Sequence, residues 1–345
     1  MINLDYCAEK GLSIREVMKK LDNLEIKTLF ITQDGVLVGS ATDGDIRRYL
    51  ISGGKMDDDA YVAVNHEPKY ATDELSAKKI MQEYLVAAVP IVDKEKRVIG
   101  IYYGESSDKK AFPKLGIPVV INAGGKGTRL DPFTRVLPKP LIPIGDLPII
   151  EHIMQQFKKY SCDNYHIIVN YKKQLIKAFF NESENKYGIN YYDEDKPLGT
   201  GGGLSLIKGN INETFFFTNC DVLLRSDYES MLRFHKENKN FVTIICAYKN
   251  LTIPYGVIET GENGSIIKMK EKPEISFLTN TGMYIVEPEV LNDIEDKKAI
   301  GFPDIIDAQR AKGKKVAVYP ISENEWMDMG QISELDKMWK KLYKA

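Results

Sequence analysis

Apolar and polar positions along the last two thirds of this chain predict strands and helices in turn. Residues 117–123, IPVVINA, form a short apolar, β-branched run that reads as a strand buried in a parallel sheet. Residues 148–160 instead place Ile149, Ile150, Ile153, Met154 and Phe157 on one helical face. Strand-like runs recur at 166–170, 189–192, 214–218 and 241–247, most of them separated by helical stretches such as 173–181 and 228–238. Such alternation means an α/β fold with a mostly parallel sheet.

The first third is a repeat. Residues 13–18, SIREVM, match 76–81, SAKKIM, at an offset of 63, and TLFIT with VLVGS recurs as VPIVD with RVIGI at an offset of 61. Each copy predicts a helix, a strand, a charged turn and a second strand ending at Gly39 or Gly100. Neither copy can bury both faces alone, so the two should pack together.

This pattern resembles a tandem cystathionine-β-synthase (CBS) pair over residues 1–110, with repeats at about 1–62 and 63–110. The resemblance implies an α+β regulatory module that binds an adenine or other nucleotide, with Thr42 and Asp45, after Gly39, on its phosphate and ribose. Thr42-x-x-Asp45 is equally close to a capping box, which would satisfy helix N–H groups and bind nothing. The second copy has Tyr103 and Ser106 at the matching places, leaving at most one well-formed ribose site. The polar stretch 106–113 reads as a linker.

Composition narrows the function classes. A chain of 345 residues suggests two or three domains, and a net charge of -2 gives no electrostatic case for nucleic acid. Cys7, Cys162, Cys220 and Cys246 lie far apart, and the first residues carry no apolar signal segment, which points to a reduced cytoplasm. No apolar run approaches the roughly 18–20 residues of a membrane span. His66, His152, His166 and His235 are scattered without ligand spacing, so each reads as structural.

The chemistry concentrates where the 117–123 strand empties into Gly124-Gly125-Lys126-Gly127-Thr128-Arg129. Glycines let backbone N–H groups approach a polyanion, while Lys126 and Arg129 supply the charge that a triphosphate requires. The Walker spacing is absent, and the third Rossmann glycine would fall on Leu130, so neither an ordinary ATPase nor a dehydrogenase is indicated. Pro138-Lys139-Pro140 then fixes a further cation in a stiff extended segment.

GGKGTRL with Pro132, Thr134 and PKP resembles the sugar-1-phosphate nucleotidyltransferase family, over about residues 117–345. Further motifs follow in order: Pro197-Leu198-Gly199-Thr200-Gly201, Asn219-Cys220-Asp221, Tyr255-Gly256-Val257, Glu271-Lys272-Pro273, Asn280-Thr281-Gly282 and Trp326-Met327-Asp328-Met329-Gly330. The resemblance implies a Rossmann-like, GT-A-like domain whose triphosphate lies on Ala123, Gly124, Gly125, Lys126, Gly127, Thr128, Arg129, Gly199 and Thr200. It implies Mg²⁺ on Asp221 and Asp328, and a sugar phosphate on Gly256, Glu271, Lys272 and Asn280. Arg129, Lys139, Asp221 and Lys272 become the catalytic set. Independently of the resemblance, Asp221 follows an apolar strand at the sheet edge where α/β folds bind ligands. One departure stands out: Cys220 occupies the place where the family usually has Gly, and no His is placed beside it to make a nucleophile.

The resulting expectation is an enzyme that joins a nucleoside triphosphate, favoured as GTP, to a sugar-1-phosphate, favoured as glucosamine-1-phosphate, and releases pyrophosphate. Mannose-1-phosphate guanylyl transfer and glucose-1-phosphate thymidylyl transfer stay open. So does a nucleotide-sensing regulator without activity, although the two aspartates and four cations argue for an enzyme. An exposed apolar face on the repeat pair favours a homo-oligomer.

Overall fold

In a computed structural model the 117–123 run becomes β1 (Val119–Ala123), an interior strand of a seven-stranded sheet. The other strands are β2 (Asn164–Val169), β3 (Gly188–Asp193), β4 (Phe215–Asn219), β5 (Val242–Thr252), β6 (Glu274–Val286) and β7 (Val316–Ser322), in the order β3-β2-β1-β4-β6-β5-β7. Strands β3, β2, β1 and β4 are parallel, β6 runs antiparallel to both β4 and β5, and β7 is again parallel to β5. The structure describes residues 4–84, 86–103, 112–183, 185 and 187–343.

The chain divides into two compact units, Met1–Ala111 and Phe112–Ala345. In the larger one, strand periodicity sorts side chains onto two cores. Val119, Ile121 and Ala123 face α1 (Ile149–Lys159), α2 (Lys173–Glu182), α3 (Tyr228–Glu237) and α5 (Ile332–Tyr343). Val120, Phe215 and Phe217 face α4 (Phe302–Ala311). The predicted helical face of α1 is realised, with Ile149, Ile150, Ile153, Met154 and Phe157 all buried. Each such side chain contributes about 1.5–3 kcal/mol.

Strands β5 and β6 run beyond the core as an antiparallel ribbon. A hairpin of Val257–Thr260 and Ile266–Lys270, exposed along its whole length, continues this arm. The ladder shifts register between Ile245 and Cys246, where Ile245 faces Met283 and Cys246 faces Asn280. Thr281 and Gly282 therefore form a bulge. Thr281 Oγ1 donates to the Ile245 carbonyl at 2.7 Å and Gly282 N donates to Asn280 Oδ1 at 2.9 Å, which satisfies the interrupted ladder.

In the smaller unit both copies form a helix followed by an antiparallel hairpin: Ile14–Asn23 with Thr28–Gln33 and Val36–Thr42, then Glu74–Tyr84 with Ala88–Val92 and Val98–Tyr103. Both hairpins skip one residue of the second strand, Val38 in one and Ile99 in the other. The ladders pair Ile31 with Gly39 and Ile91 with Gly100, so the first strands superpose at an offset of 60, not the 61 read from the sequence. The second turn is one residue longer. Of the expected linker, residues 106–111 lie outside the described residues, as does Ser106 of the second copy.

Thr42 and Asp45 form a capping box at the helix Asp43–Ile51: Thr42 N donates to Asp45 Oδ2 at 2.9 Å and Asp45 N donates to Thr42 Oγ1 at 3.2 Å. Both residues also line a cleft of about 570 Å³ with Ser40, Arg48 and Lys69. Replacing the cap, Thr42→Ala, should destabilise this unit by about 1 kcal/mol. Denaturant titration followed by circular dichroism measures it, and an unchanged midpoint would show that the cap contributes nothing.

Candidate active site

Strand β1 delivers its carboxyl end to Gly124, and the chain then turns through Gly127 into the 3₁₀ turn Thr128–Leu130. Gly127 adopts the left-handed conformation, φ 67°, and a Cβ there would lie 3.0 Å from both Lys139 Cβ and Thr134 Cγ2. Glycine is required on both counts. Thr134 Oγ1 sits 3.1 Å from the Gly127 carbonyl and 2.8 Å from Asp131 Oδ1, which ties the following loop to the cradle. Leu130 is buried beneath it, whereas Gly125, Lys126, Thr128 and Arg129 are exposed. The loop thus presents backbone and cations outward.

Lys139 begins a 3₁₀ turn, Lys139–Leu141, after an extended Pro138, so the expected extended segment holds only for the proline. The turn is stable because it drives Leu141 and Ile142 into the core. Lys139 is buried, and its ammonium pairs with the equally buried Asp221. Asp221 follows β4 after the single residue Cys220. A short antiparallel pair, Val222–Leu224 with Trp326–Asp328, brings Asp328 opposite Val222, and Met329 N donates to the Asp221 carbonyl at 3.0 Å.

Burial, and then the charge of Asp221, push the Asp328 carboxyl up to about 6, against the pull of Lys139 and Arg129. Asp328 Oδ1 is buried without a hydrogen-bond partner. Two adjacent carboxylates with an unsatisfied oxygen suit a hard divalent cation. Among the described residues no group of three or more His, Cys, Asp or Glu is placed to hold a metal ion. A cation here would complete its shell from phosphate and water, as magnesium commonly does.

Gly125, Gly127, Thr128, Arg129, Lys139, Thr200 and Asp221 line one cavity of about 270 Å³, together with Asn122, Asn219, Cys220 and Gly330. Thr200 is fixed there by Phe302 N, which donates to its Oγ1 at 3.0 Å from the start of α4. Ala123, Gly124, Lys126 and Gly199 do not line it, and Asp328 lines another cavity, of about 530 Å³, with Trp326 and Lys249. Burial pushes the Cys220 thiol up to about 12, so it stays neutral. Gly256 and Glu271 lie together on the arm, Glu271 Oε2 being 2.9 Å from where a Gly256 Cβ would stand. Lys272 follows with φ 42°. These arm residues do not line the cavity around Lys139. Asn280 stands at the β6 bulge, where its Oδ1 accepts from Gly282 N at 2.9 Å and its Nδ2 donates to Tyr284 Oη at 2.8 Å.

Sequence reasoning missed Asn122 and Glu194. Asn122 is the one polar residue of β1, a signal visible in the run itself. Glu194 follows β3 as one acidic residue among several, Asp193-Glu194-Asp195, and nothing local marks it. It is buried between Gly124 and Gly203, where an added Cβ would come within 2.7 and 2.8 Å of its carboxylate oxygens. Burial raises its carboxyl to about 7, although the Leu198 N–H and the Asn170 amide favour the charged form, and Oε1 has no partner. The folded state therefore holds this proton more tightly than the unfolded chain, and stability falls as pH rises from the ordinary glutamate range through about 7. Glu194→Gln, neutral at every pH, should match the parent near pH 4 and exceed its stability by on the order of 2 kcal/mol at pH 8. Denaturant titrations at both pH values test this, and an equal difference at the two would refute it.

The profile of the Nucleotidyl transferase family matches residues 118–344. The β catalytic subunit of mannose-1-phosphate guanylyltransferase from Dictyostelium discoideum is 33% identical over 219 residues, 61% of this chain and 60% of that protein. A UTP–glucose-1-phosphate uridylyltransferase from Synechocystis is 30% identical over 241 residues, 62% of this chain and 60% of the relative. The chain thus spans about three fifths of the length of these curated relatives. The crystal structure of HddC from Yersinia pseudotuberculosis has the same fold, with TM-score 0.52, 21% identity and coverage of 66% of this chain and 99% of that one. UDP-glucose pyrophosphorylase complexed with UDP-glucose aligns at TM-score 0.51 and 21% identity, over 66% and 98% of the two chains. With a glycine cradle, a buried lysine and two carboxylates at the end of a mostly parallel sheet, and a profile match over residues 118–344, the chain belongs to the nucleotidyl transferase family.

Proposed function

We propose that this protein is a sugar-1-phosphate nucleotidyltransferase. The observation that carries the reading is the convergence of Gly125, Gly127, Arg129, Lys139 and Asp221 on one cavity, with Asp328 beside it. A phosphate oxygen of the sugar-1-phosphate attacks the α-phosphorus of a nucleoside triphosphate, the bond to the β-phosphate oxygen breaks, and pyrophosphate leaves. No covalent enzyme intermediate is needed. Catalysis is positioning and charge neutralisation: Arg129 and Lys126 hold the β and γ phosphates, Lys139 the α-phosphate, and Lys272 the incoming sugar phosphate. Asp221 and Asp328 are the residues that would hold magnesium. Bound magnesium supplies further neutralisation of the charge that develops on the phosphates. Glu271 and the Gly256 backbone, adjacent on the arm, take the sugar hydroxyls.

GTP and glucosamine-1-phosphate are the favoured substrates, because a repeat pair ahead of a transferase unit resembles the glucosamine-1-phosphate guanylyltransferases of bacterial legionaminic-acid synthesis. Mannose-1-phosphate is the second reading, supported by the guanylyltransferase relatives. The smaller unit, 1–110, acts as the CBS-type regulatory module, its nucleotide in the cleft lined by Thr42 and Asp45. The chain works as a homo-oligomer. Incubation with magnesium, each of four triphosphates and a panel of sugar-1-phosphates, with pyrophosphate measured, tests the reaction; no release from any pair would sink it.

Asp221→Asn should still fold, with stability lowered because it leaves the buried Lys139 ammonium unpaired, and should lose turnover by at least about a hundredfold. Normal turnover would remove Asp221 from the metal site. Because Arg129 lies in the cradle and Lys272 on the arm, they should serve different ligands. Lys272→Ala should weaken the sugar phosphate about ten- to a hundredfold and leave triphosphate affinity unchanged, while Arg129→Ala should do the reverse and lower turnover. Titration of each variant with each ligand checks the assignment, and weakened triphosphate binding by the Lys272 variant alone would invert it.

A further inference from the structure

Lys172 breaks the local rules of its position in three ways. It stands just before α2, at the N-cap position where Ser, Thr, Asp or Asn is preferred, and its side chain makes no capping hydrogen bond. A cation is unfavourable at the positive end of a helix. Its backbone is also left-handed, φ 51°, which strains any residue that carries a Cβ.

The side chain shows what this strain serves. Its ammonium donates to the Arg135 carbonyl and, at 2.8 Å, to the Val136 carbonyl. The preceding Tyr171 donates from Oη to the Thr134 carbonyl at 3.0 Å and from its N–H to the Gly124 carbonyl at 3.5 Å. Residues 133–136 form a short helix, Phe133–Val136, that joins the cradle to Lys139. Four residues are too few for a helix to stand alone, and its carbonyls need partners from outside. Leu137 N takes the Phe133 carbonyl at 3.0 Å, and Tyr171 and Lys172 take the other three, so every one is satisfied. Packing adds little, since Phe133 is 50% and Val136 72% exposed. Thr134 alone of the four is buried, with its hydroxyl 3.1 Å from the Gly127 carbonyl. Two adjacent side chains after β2 therefore fix where this helix lies, and through it Gly127 on one side and Lys139 on the other.

We infer that Lys172 and Tyr171 are positioning residues for the triphosphate: their grip on the helix Phe133–Val136 holds the cradle and Lys139 in the arrangement that receives the phosphates. The inference rests on the reading of this cavity as the triphosphate site and deepens it. A cradle with Gly124, Gly125 and Gly127 has a backbone free to take other conformations, and ordering a loop on binding lowers affinity. Neither Tyr171 nor Lys172 lines the cavity, so both act through the helix. A lysine this near the cradle would otherwise read as one more phosphate cation; its ammonium is instead taken by carbonyls.

Lys172→Gly separates positioning from folding. Glycine accepts both the left-handed backbone and an N-cap position, so the melting temperature should stay nearly unchanged, relief of strain offsetting the lost hydrogen bonds. Calorimetric binding of GTP and of inorganic tripolyphosphate to the full chain should nevertheless weaken about tenfold. Amides of residues 128–137 should exchange faster in this variant, and those of β1 at the parent's rate. In turnover, KM for the triphosphate should rise about tenfold with KM for the sugar phosphate unmoved. Lys172→Arg keeps a cation able to donate to two carbonyls and should recover affinity to within about twofold. Tyr171→Phe, which loses one neutral hydrogen bond, should weaken polyphosphate binding about threefold. Triphosphate that binds the parent without turnover, with affinity lost in Lys172→Gly, would count against the proposed activity and for this inference. Parental affinity in Lys172→Gly, or in Tyr171→Phe should the first variant not fold, would overturn it. So would an equal loss on both substrates, or a parent that binds neither polyphosphate.

Discussion

The pairing of Lys139 with Asp221 is the constraint on which the site depends. Two charges out of water cost several kcal/mol each unless they neutralise one another, so each residue fixes where the other stands. Lys139 is anchored by Leu141 and Ile142 in the core, Asp221 by its position at the end of β4. The pair thereby ties the loop after the cradle to the centre of the sheet. Gly127 packs directly on the Lys139 side chain, which extends the same constraint to the cradle. Losing either charge would strand its partner.

Much of this arrangement was legible because it is local. The apolar run of β1, the glycines behind it and the helical face of α1 are written in consecutive residues and appear as read. Asp221 and Asp328 meet through a two-stranded pairing that their motifs flag. Asn122 stood out as the polar residue of its run, yet its role, like that of Glu194, lies in partners far along the chain: Gly199 and Thr200 for one, Gly124 and Gly203 for the other. The motif Asn280-Thr281-Gly282 was legible as a motif but not as a bulge, since the sequence does not state which strand it faces. The antiparallel β6 likewise departs from the parallel alternation that the earlier segments establish.

The smaller unit illustrates how one pattern can carry two physical roles. Thr42 and Asp45 satisfy helix N–H groups through each other, yet they stand on the wall of a cleft. A ligand there would have to compete with, or share, those hydrogen bonds. Capping therefore sets a cost on binding and is compatible with it.

The bulge at Thr281 and Gly282 marks where β5 and β6 leave the core. On one side Met283, Tyr284 and Ile285 are buried, and on the other Leu278 and Phe277 are exposed. The ribbon beyond has little packing of its own, so its backbone hydrogen bonds can open without disturbing the sheet. Amide exchange would accordingly run in two regimes along a single strand. Glu271 and Lys272 sit on the fast-exchanging segment, while Asp221 and Lys139 sit on the slow one. Sequence drift in the arm can then proceed while the sheet and its cradle stay intact, a division of evolutionary labour set by one two-residue interruption in a ladder.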